Sequence, residues 1–281
     1  MMWRLCFGAA ALYALLIGTA PVMAQGTPLE RGFSASPDVA LRIYLPKGRL
    51  RVSTWSRDSV HVRGTVGASG TYFGGGTPAH VKFGVEPRTP GDTRLPDADW
   101  VVQVPPQARL WIKQVEGDLE VTGLQGELEA YTVGGRMVVR QVTGQTTLES
   151  IDAPVTVEAA RGDLRIRGSK GAVALRDVNA VLSVGTVSGT VTVTGGRPDG
   201  RIETIGGAVG VEGPELRDAE LEVQTHSGTI TLRVDPRRAP KMELSTRAGA
   251  PTGAPLTGQT RFGRLVARSF KGAILVQSLP Q

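Results

Sequence analysis

Four carboxylates crowd one short stretch: Asp118, Glu120, Glu127 and Glu129. Polysaccharide cleavage is the chemistry such a group could do, because it needs acids, or an acid with Arg or Lys, converging on neighbouring segments. Eighteen residues on from Asp118 stands Arg136, and eighteen on from Glu127 stands Gln145. Acid beside base at a fixed interval is also how a solvated charge ladder on a sheet is written. The group is therefore read as a structural or ion-binding surface. The histidines are His61, His80 and His226, without a His-x-x-His pair, and the single cysteine is Cys6. That spacing offers no metal site. There is no G-x-S-x-G elbow and no phosphate loop, and Gly74-Gly75-Gly76 reads as the tip of a loop. No catalytic residue, cofactor or metal is expected, and the chain is not read as an enzyme.

Contact chemistry is better represented. Trp100 and Trp111 fall on outward positions of the pattern described below. They could stack on a sugar or a partner, or lie under the Gly67–Ala98 insertion; cover is the favoured reading. Trp55 and His226 fall on corner positions and read as packed. From Arg233 to Lys271 the chain is basic and includes Arg261, Arg264 and Arg268. Such a run suits anionic lipid head groups or acidic glycans. Nucleic acid is not expected as a partner of a chain that reads as exported.

These residues hang on a nine-residue beat. Glycine stands at 117, 126, 135, 144, 162, 171, 189 and 207, with Ala153, Ala180 and Pro198 on the intervening beats. With the beat residue numbered zero, positions two and four are apolar, as in Leu119/Val121, Val155/Val157 and Val191/Val193. Residues two apart share one face of a strand. Position seven is often apolar too, which breaks the alternation and implies a bend with position seven inward. One strand and one turn cannot bury their own apolar face, so neighbours must stack. Outward residues differ on alternate beats. One set keeps its charges, while the other becomes Pro154, Thr156, Ala172, Ala174, Thr190, Thr192 and Ala208. The unit is therefore an eighteen-residue coil with two unlike faces. Only Thr190 and Thr192 form a Thr-x-Thr pair on the bare strip, so an ice-type threonine ladder is disfavoured. The strip is read as a contact site or a covered one.

The predicted fold is all-β: a single-domain parallel β-solenoid of about ten coils. An antiparallel meander or sandwich is the alternative, since nine residues also suit a strand plus hairpin turn. The solenoid should span 39–278, with insertions at 67–98 and 249–260, an N-terminal segment at 25–38 and a tail at 279–281. Three extra residues around Pro214-Glu215-Leu216 shift the phase. The 281 residues include 37 glycines, 5% aromatics and a net charge of +6. That composition suits short strands and tight turns.

Residues 1–24 read as a cleaved secretory signal. Arg4 gives a positive start, Leu5–Gly18 an apolar run, and Val22-Met23-Ala24 a cleavage site. No later apolar run approaches 18 residues, so no transmembrane helix is expected after cleavage. The mature chain would hold no cysteine and rely on its core. Export to the periplasm, the cell envelope or beyond follows.

The segments LRIYLPKGRLRVSTWSRDSVHVRGTV and VVQVPPQARLWI, followed by repeated G-x-L/V-x-V units from Gly117 to Gly228, resemble the adhesin-like β-strand-repeat domain of bacterial envelope proteins. That group is also described as an auto-transporter adhesin head domain. The resemblance covers 39–278 and implies a parallel β-solenoid, an envelope location and no catalytic residue. It implies a non-catalytic structural or interaction module, whose partner would be an envelope protein, a polysaccharide or an anionic surface.

Overall fold

Positions two and four of each beat become strand interiors. In the computed structural model, which describes residues 26–253 and 258–279, Val191 and Val193 are at most 1% exposed. The predicted signal segment lies outside the described residues.

The first part of the chain forms β1 (Thr27–Ser34), β2 (Ala40–Thr54), β3 (Ser59–Val66), β4 (Gly70–Thr77), β5 (His80–Pro87), β6 (Asp97–Val104) and β7 (Arg109–Thr122). The regular body follows with β8 (Glu127–Thr132), β9 (Gly134–Arg140), β10 (Thr143–Ser150), β11 (Val155–Glu158), β12 (Arg161–Gly168) and β13 (Val173–Arg176). It continues with β14 (Asn179–Thr186), β15 (Val191–Thr194), β16 (Asp199–Thr204), β17 (Val209–Glu212), β18 (Glu220–Thr225) and β19 (Ile230–Val234). The far end holds β20 (Pro240–Thr246), β21 (Thr252–Gly253), β22 (Gln259–Ser269) and β23 (Ile274–Ser278).

Pairing is parallel through the body, and the register is the predicted eighteen residues: Leu148 faces Ile166, and Ile166 faces Val184. The fold is a parallel β-solenoid with two main sheets. On the first sheet the parallel order is β5, β2, β7, β8, β10, β12, β14, β16, β18, β22, β20, which makes eleven rungs. Ten gaps of about 4.8 Å give a body about 48 Å long. The second sheet carries β6, the latter halves of β2 and β7, then β9, β11, β13, β15, β17, β19, β23 and β21. The three-residue phase shift is present, since Gly200 faces Leu221 across β16 and β18.

Both ends depart from chain order. At the C-terminal end β22 slides between β18 and β20, so the last rung in space is not the last in sequence. At the N-terminal end β2 is enclosed by β7 on one side and by β5 and β6 on the other. Among the described residues antiparallel pairing, the alternative reading for the whole chain, is confined to this end. There β4 pairs β5, β3 pairs β6 and β1 pairs β3. Most of the stretch read as a surface insertion is thus the β4–β5 hairpin that closes the first sheet.

The sequence reading placed position seven inward on every beat; the structure corrects this. Leu124, Val142, Ala160 and Val178 are buried, whereas Ile151, Val187 and Ile205 are exposed. Position six decides. After the second-sheet strands it has positive φ, as at Gln141 (52°), Ala159 (54°) and Asp177 (51°). This left-handed step turns the next side chain in. After the first-sheet strands position six keeps the alternation and faces inward itself. It is Thr132, Ser150, Thr186 or Thr204, and all four are buried. Their hydroxyls serve the turn: Ser150 donates to Ala153 O at 2.6 Å, Thr186 to Gly189 O at 3.0 Å, and Thr204 accepts from Gly207 N at 2.9 Å. Position seven is then left outside. For the same reason His226 is exposed rather than packed, with its ring 5.0 Å from that of Phe270.

Beat glycines are needed for close approach. A Cβ on Gly189 would lie 2.1 Å from the carbonyl oxygen of Gly171, one coil below.

Candidate functional site

The first sheet near its N-terminal end carries an aromatic shelf. Alternation in Ala40-Leu41-Arg42-Ile43-Tyr44 sends Leu41 and Ile43 into the core and leaves Arg42 and Tyr44 outside. On the next rung Leu110 and Ile112 are buried, and Trp111 is half-buried on the outer surface. Register places Arg42, Trp111 and Glu129 in one row, and Ala40, Arg109 and Glu127 in the next. The rings of Tyr44 and Trp111 stand 5.0 Å apart at 56°. Lys82 caps the Tyr44 ring at 5.2 Å, and Lys113 lies 5.9 Å from the centre of the Tyr131 ring. Together Ala40, Arg42, Tyr44, Arg109, Trp111, Glu127 and Glu129 line a shallow cleft.

Its charges are unusual for this surface. Most outward carboxylates sit against an arginine on the neighbouring rung. Asp118 holds Arg136 at 2.9 Å, and Glu158 lies between Arg140 at 2.9 Å and Arg176 at 3.0 Å. The arginines hold the Glu158 carboxyl below the usual range, chiefly through the Arg140 hydrogen bond, against the opposing effect of burial. Glu127 and Glu129 are exposed, and among the described residues neither has a cation within ion-pair distance. Acceptors and guanidinium donors beside an indole face can take a sugar ring: its C–H face stacks while its hydroxyls are bonded at the rim.

The four carboxylates Asp118, Glu120, Glu127 and Glu129 do not converge. Glu127 and Glu129 are on the first sheet. Asp118 and Glu120 are on the second, where Arg136, Arg51 and Arg140 engage them. Among the described residues no group of three or more His, Cys, Asp or Glu is placed to hold a metal ion.

Trp100, read as outward, is a correction. It is 0% exposed and packs edge-on against Tyr72 at 5.9 Å and Phe83 at 5.7 Å. The phase there was one residue off, because Trp100 faces Leu50 and it is Asp99 that faces outward to Arg49. Tyr72 and Phe83 belong to the β4–β5 hairpin, so that stretch packs on Trp100, whereas Trp111 is half-buried in a cleft that no hairpin residue lines. Burial also pushes the Tyr72 phenol up to about 12, against the lowering effect of Arg31. Trp55, read as core, is half-buried; its Nε1 donates to Ser59 O at 2.8 Å and it stacks on His61.

The basic C-terminal run is largely neutralised. Arg264 bridges Glu220 at 3.0 Å and Glu243 at 2.6 Å, and Arg268 pairs with Glu222. Arg261 lies over the ring of Phe262 at 4.7 Å. On the bare strip Thr156, Ala174 and Thr192 face one another along the second sheet, with Gly210 next. Thr190 and Thr192 are exposed, and Thr156 and Ala174 half-buried. The β4–β5 hairpin lies at the N-terminal end, away from these rungs.

Sequence reasoning missed two features. Tyr44 completes the shelf, and its signal was the alternation through Arg42-Ile43-Tyr44. The outward apolar row at position seven was signalled by the Ser or Thr just before it.

No family model matches the chain, and no curated protein matches it. Two solved structures align with low identity. A proposed cell adhesion protein from Clostridium sporogenes covers 90% of this chain and 100% of its own, at 10% identity and a TM-score of 0.34. A proposed adhesin from Bacteroides fragilis covers 91% and 99%, at 9% identity and a TM-score of 0.42. At these scores neither likeness bears on what this chain binds.

Proposed function

We propose that this protein is a non-catalytic, adhesin-like interaction module of the bacterial envelope, exported to the periplasm or beyond. In this reading it binds polysaccharide on the Trp111–Tyr44 shelf. The observation that carries this is the pair of uncommitted carboxylates, Glu127 and Glu129, beside Trp111 on a surface whose other acids are mostly matched to arginines. Polar groups left unspent around a half-buried indole on the outer surface are what orient a sugar. The lack of convergence between the two acid pairs supports binding without cleavage.

Affinity electrophoresis in gels containing neutral or uronic-acid polysaccharides tests it. Retardation in at least one polymer is expected, and Trp111→Ala should weaken binding about tenfold. Thr190→Arg and Thr192→Arg should leave binding intact. Binding that survives Trp111→Ala but is lost in the threonine variants would move the site to the bare strip. Shortened polymer after incubation would overturn the non-catalytic reading.

A further inference from the structure

Six large hydrophobic side chains are exposed among the described residues, and four of them share one corner: Ile151 (40%), Val187 (48%), Ile205 (58%) and Phe270 (42%). They form a row along the stack. Backbone bonds tie each corner to the one below: Ile151 N to Thr132 O, Val187 N to Ser169 O, Ile205 N to Thr186 O and Phe270 N to Thr225 O. Ser169 and His226 fill the intervening rungs. Gly168 and Gly185 leave a shallow groove beside the row. The fold does not require an apolar residue at this position, because Ser169 and His226 occupy it on two of the rungs. A row in which four of six successive rungs expose a large apolar side chain, with charged flanks, marks an association surface.

We infer that this corner is a homodimer interface, in which two copies pack with their stacks antiparallel about a two-fold axis. The axis falls between the rungs of Val187 and Ile205. It sets Val187 against Ile205 of the second copy, Ile151 against Phe270, and Ser169 against His226. On the first-sheet flank Glu149 then meets Arg268, since those residues occupy the rungs of Ile151 and Phe270. On the other flank Asp152 meets Lys271. A parallel two-fold would instead bring Glu149 against Asp152 and Arg268 against Lys271, like against like. Charge therefore selects the antiparallel arrangement, and an isologous interface needs this self-complementarity.

Light scattering on the protein expressed from its full coding sequence should show twice the chain mass at high concentration, falling to the chain mass on dilution. Ile205→Asp should raise the dissociation constant at least about tenfold while leaving the melting curve at high dilution unchanged, because the residue is outside the core. Asp152→Lys and Lys271→Asp should each weaken the dimer, and the double variant should restore it. Ser169→Cys protein mixed with His226→Cys protein should form a disulfide-linked pair that neither forms alone. Monomer at every concentration would overturn the proposal. So would a dimer indifferent to Ile205→Asp, or Ser169→Cys protein that cross-links to itself as readily as to the His226→Cys protein.

Discussion

The two corners of each coil are built from the same nine-residue unit and turn in opposite ways. After a second-sheet strand, Ala159 or Asp177 takes a left-handed φ and Ala160 or Val178 swings into the core. After a first-sheet strand, Ser150 or Thr186 stays in register, fills the interior and bonds the turn through its hydroxyl. Ile151 and Val187 are then left in water. A single dihedral at position six thus decides whether an apolar residue is core or surface. A repeat in sequence need not be a repeat in environment.

The largest test places one substitution at the same repeat position of both corners. Val178→Asp puts a charge where Val178 is 1% exposed and should cost at least about 3 kcal/mol of stability. Val187→Asp, at 48% exposure, should leave the melting temperature of the monomer almost unchanged. Thermal unfolding of the two variants at high dilution checks this, and equal losses would erase the distinction between the corners. Next in size is Thr186→Val, which removes the donor to Gly189 O inside the turn. A cost of about 1–2 kcal/mol is expected in chemical denaturation, with Thr186→Ser close to wild type. Smaller and opposite in sign is Ala159→Gly. Left-handed φ is unfavourable for alanine, so relief should raise stability by about 0.5–1 kcal/mol. Thr186→Gly, at the same position of the other corner, should lower it.

Much of this was legible beforehand, and the parts that were not share a cause. Valine or leucine at positions two and four reports a strand interior directly, because side-chain direction in a strand follows a strict alternation. The eighteen-residue register followed from outward residues such as Thr190 and Arg201, which differ on alternate beats. Position seven lies beyond a turn, where alternation restarts with a phase set by backbone φ. Gln141 and Asp177 do not announce a left-handed conformation as glycine does. Trp100 was misplaced for a related reason: the beat was extended backwards into the cap, where the phase at Asp99 had moved by one. Of the shelf, Trp111 was visible as an outward aromatic. Its neighbours Tyr44 and Arg42 come from β2, about seventy residues earlier, and only β2's place beside β7 brings them together.

The smallest expected effect again contrasts the corners, through the charges that flank them. Glu158 precedes the left-handed Ala159 and accepts from two arginines. Glu149 precedes the hydroxyl Ser150 and meets only Arg167, at 3.3 Å. The Glu158 carboxyl is held below its ordinary value of 4.5, first by the Arg140 hydrogen bond and further by Arg176, with burial opposing. A carboxyl depressed in the folded state adds stability above its unfolded pKa. That stability is lost as pH falls through the folded value. The ladder should therefore contribute fully at neutral pH and fade below the ordinary glutamate range. Because Glu158 and Arg176 are partly solvated, the contribution is about 0.5 kcal/mol. Glu158→Gln should flatten the acid limb of a stability–pH profile measured by urea denaturation. An acid limb left as steep as in the wild type would mean that the two arginines add nothing, and that the left-handed corner gains nothing from them.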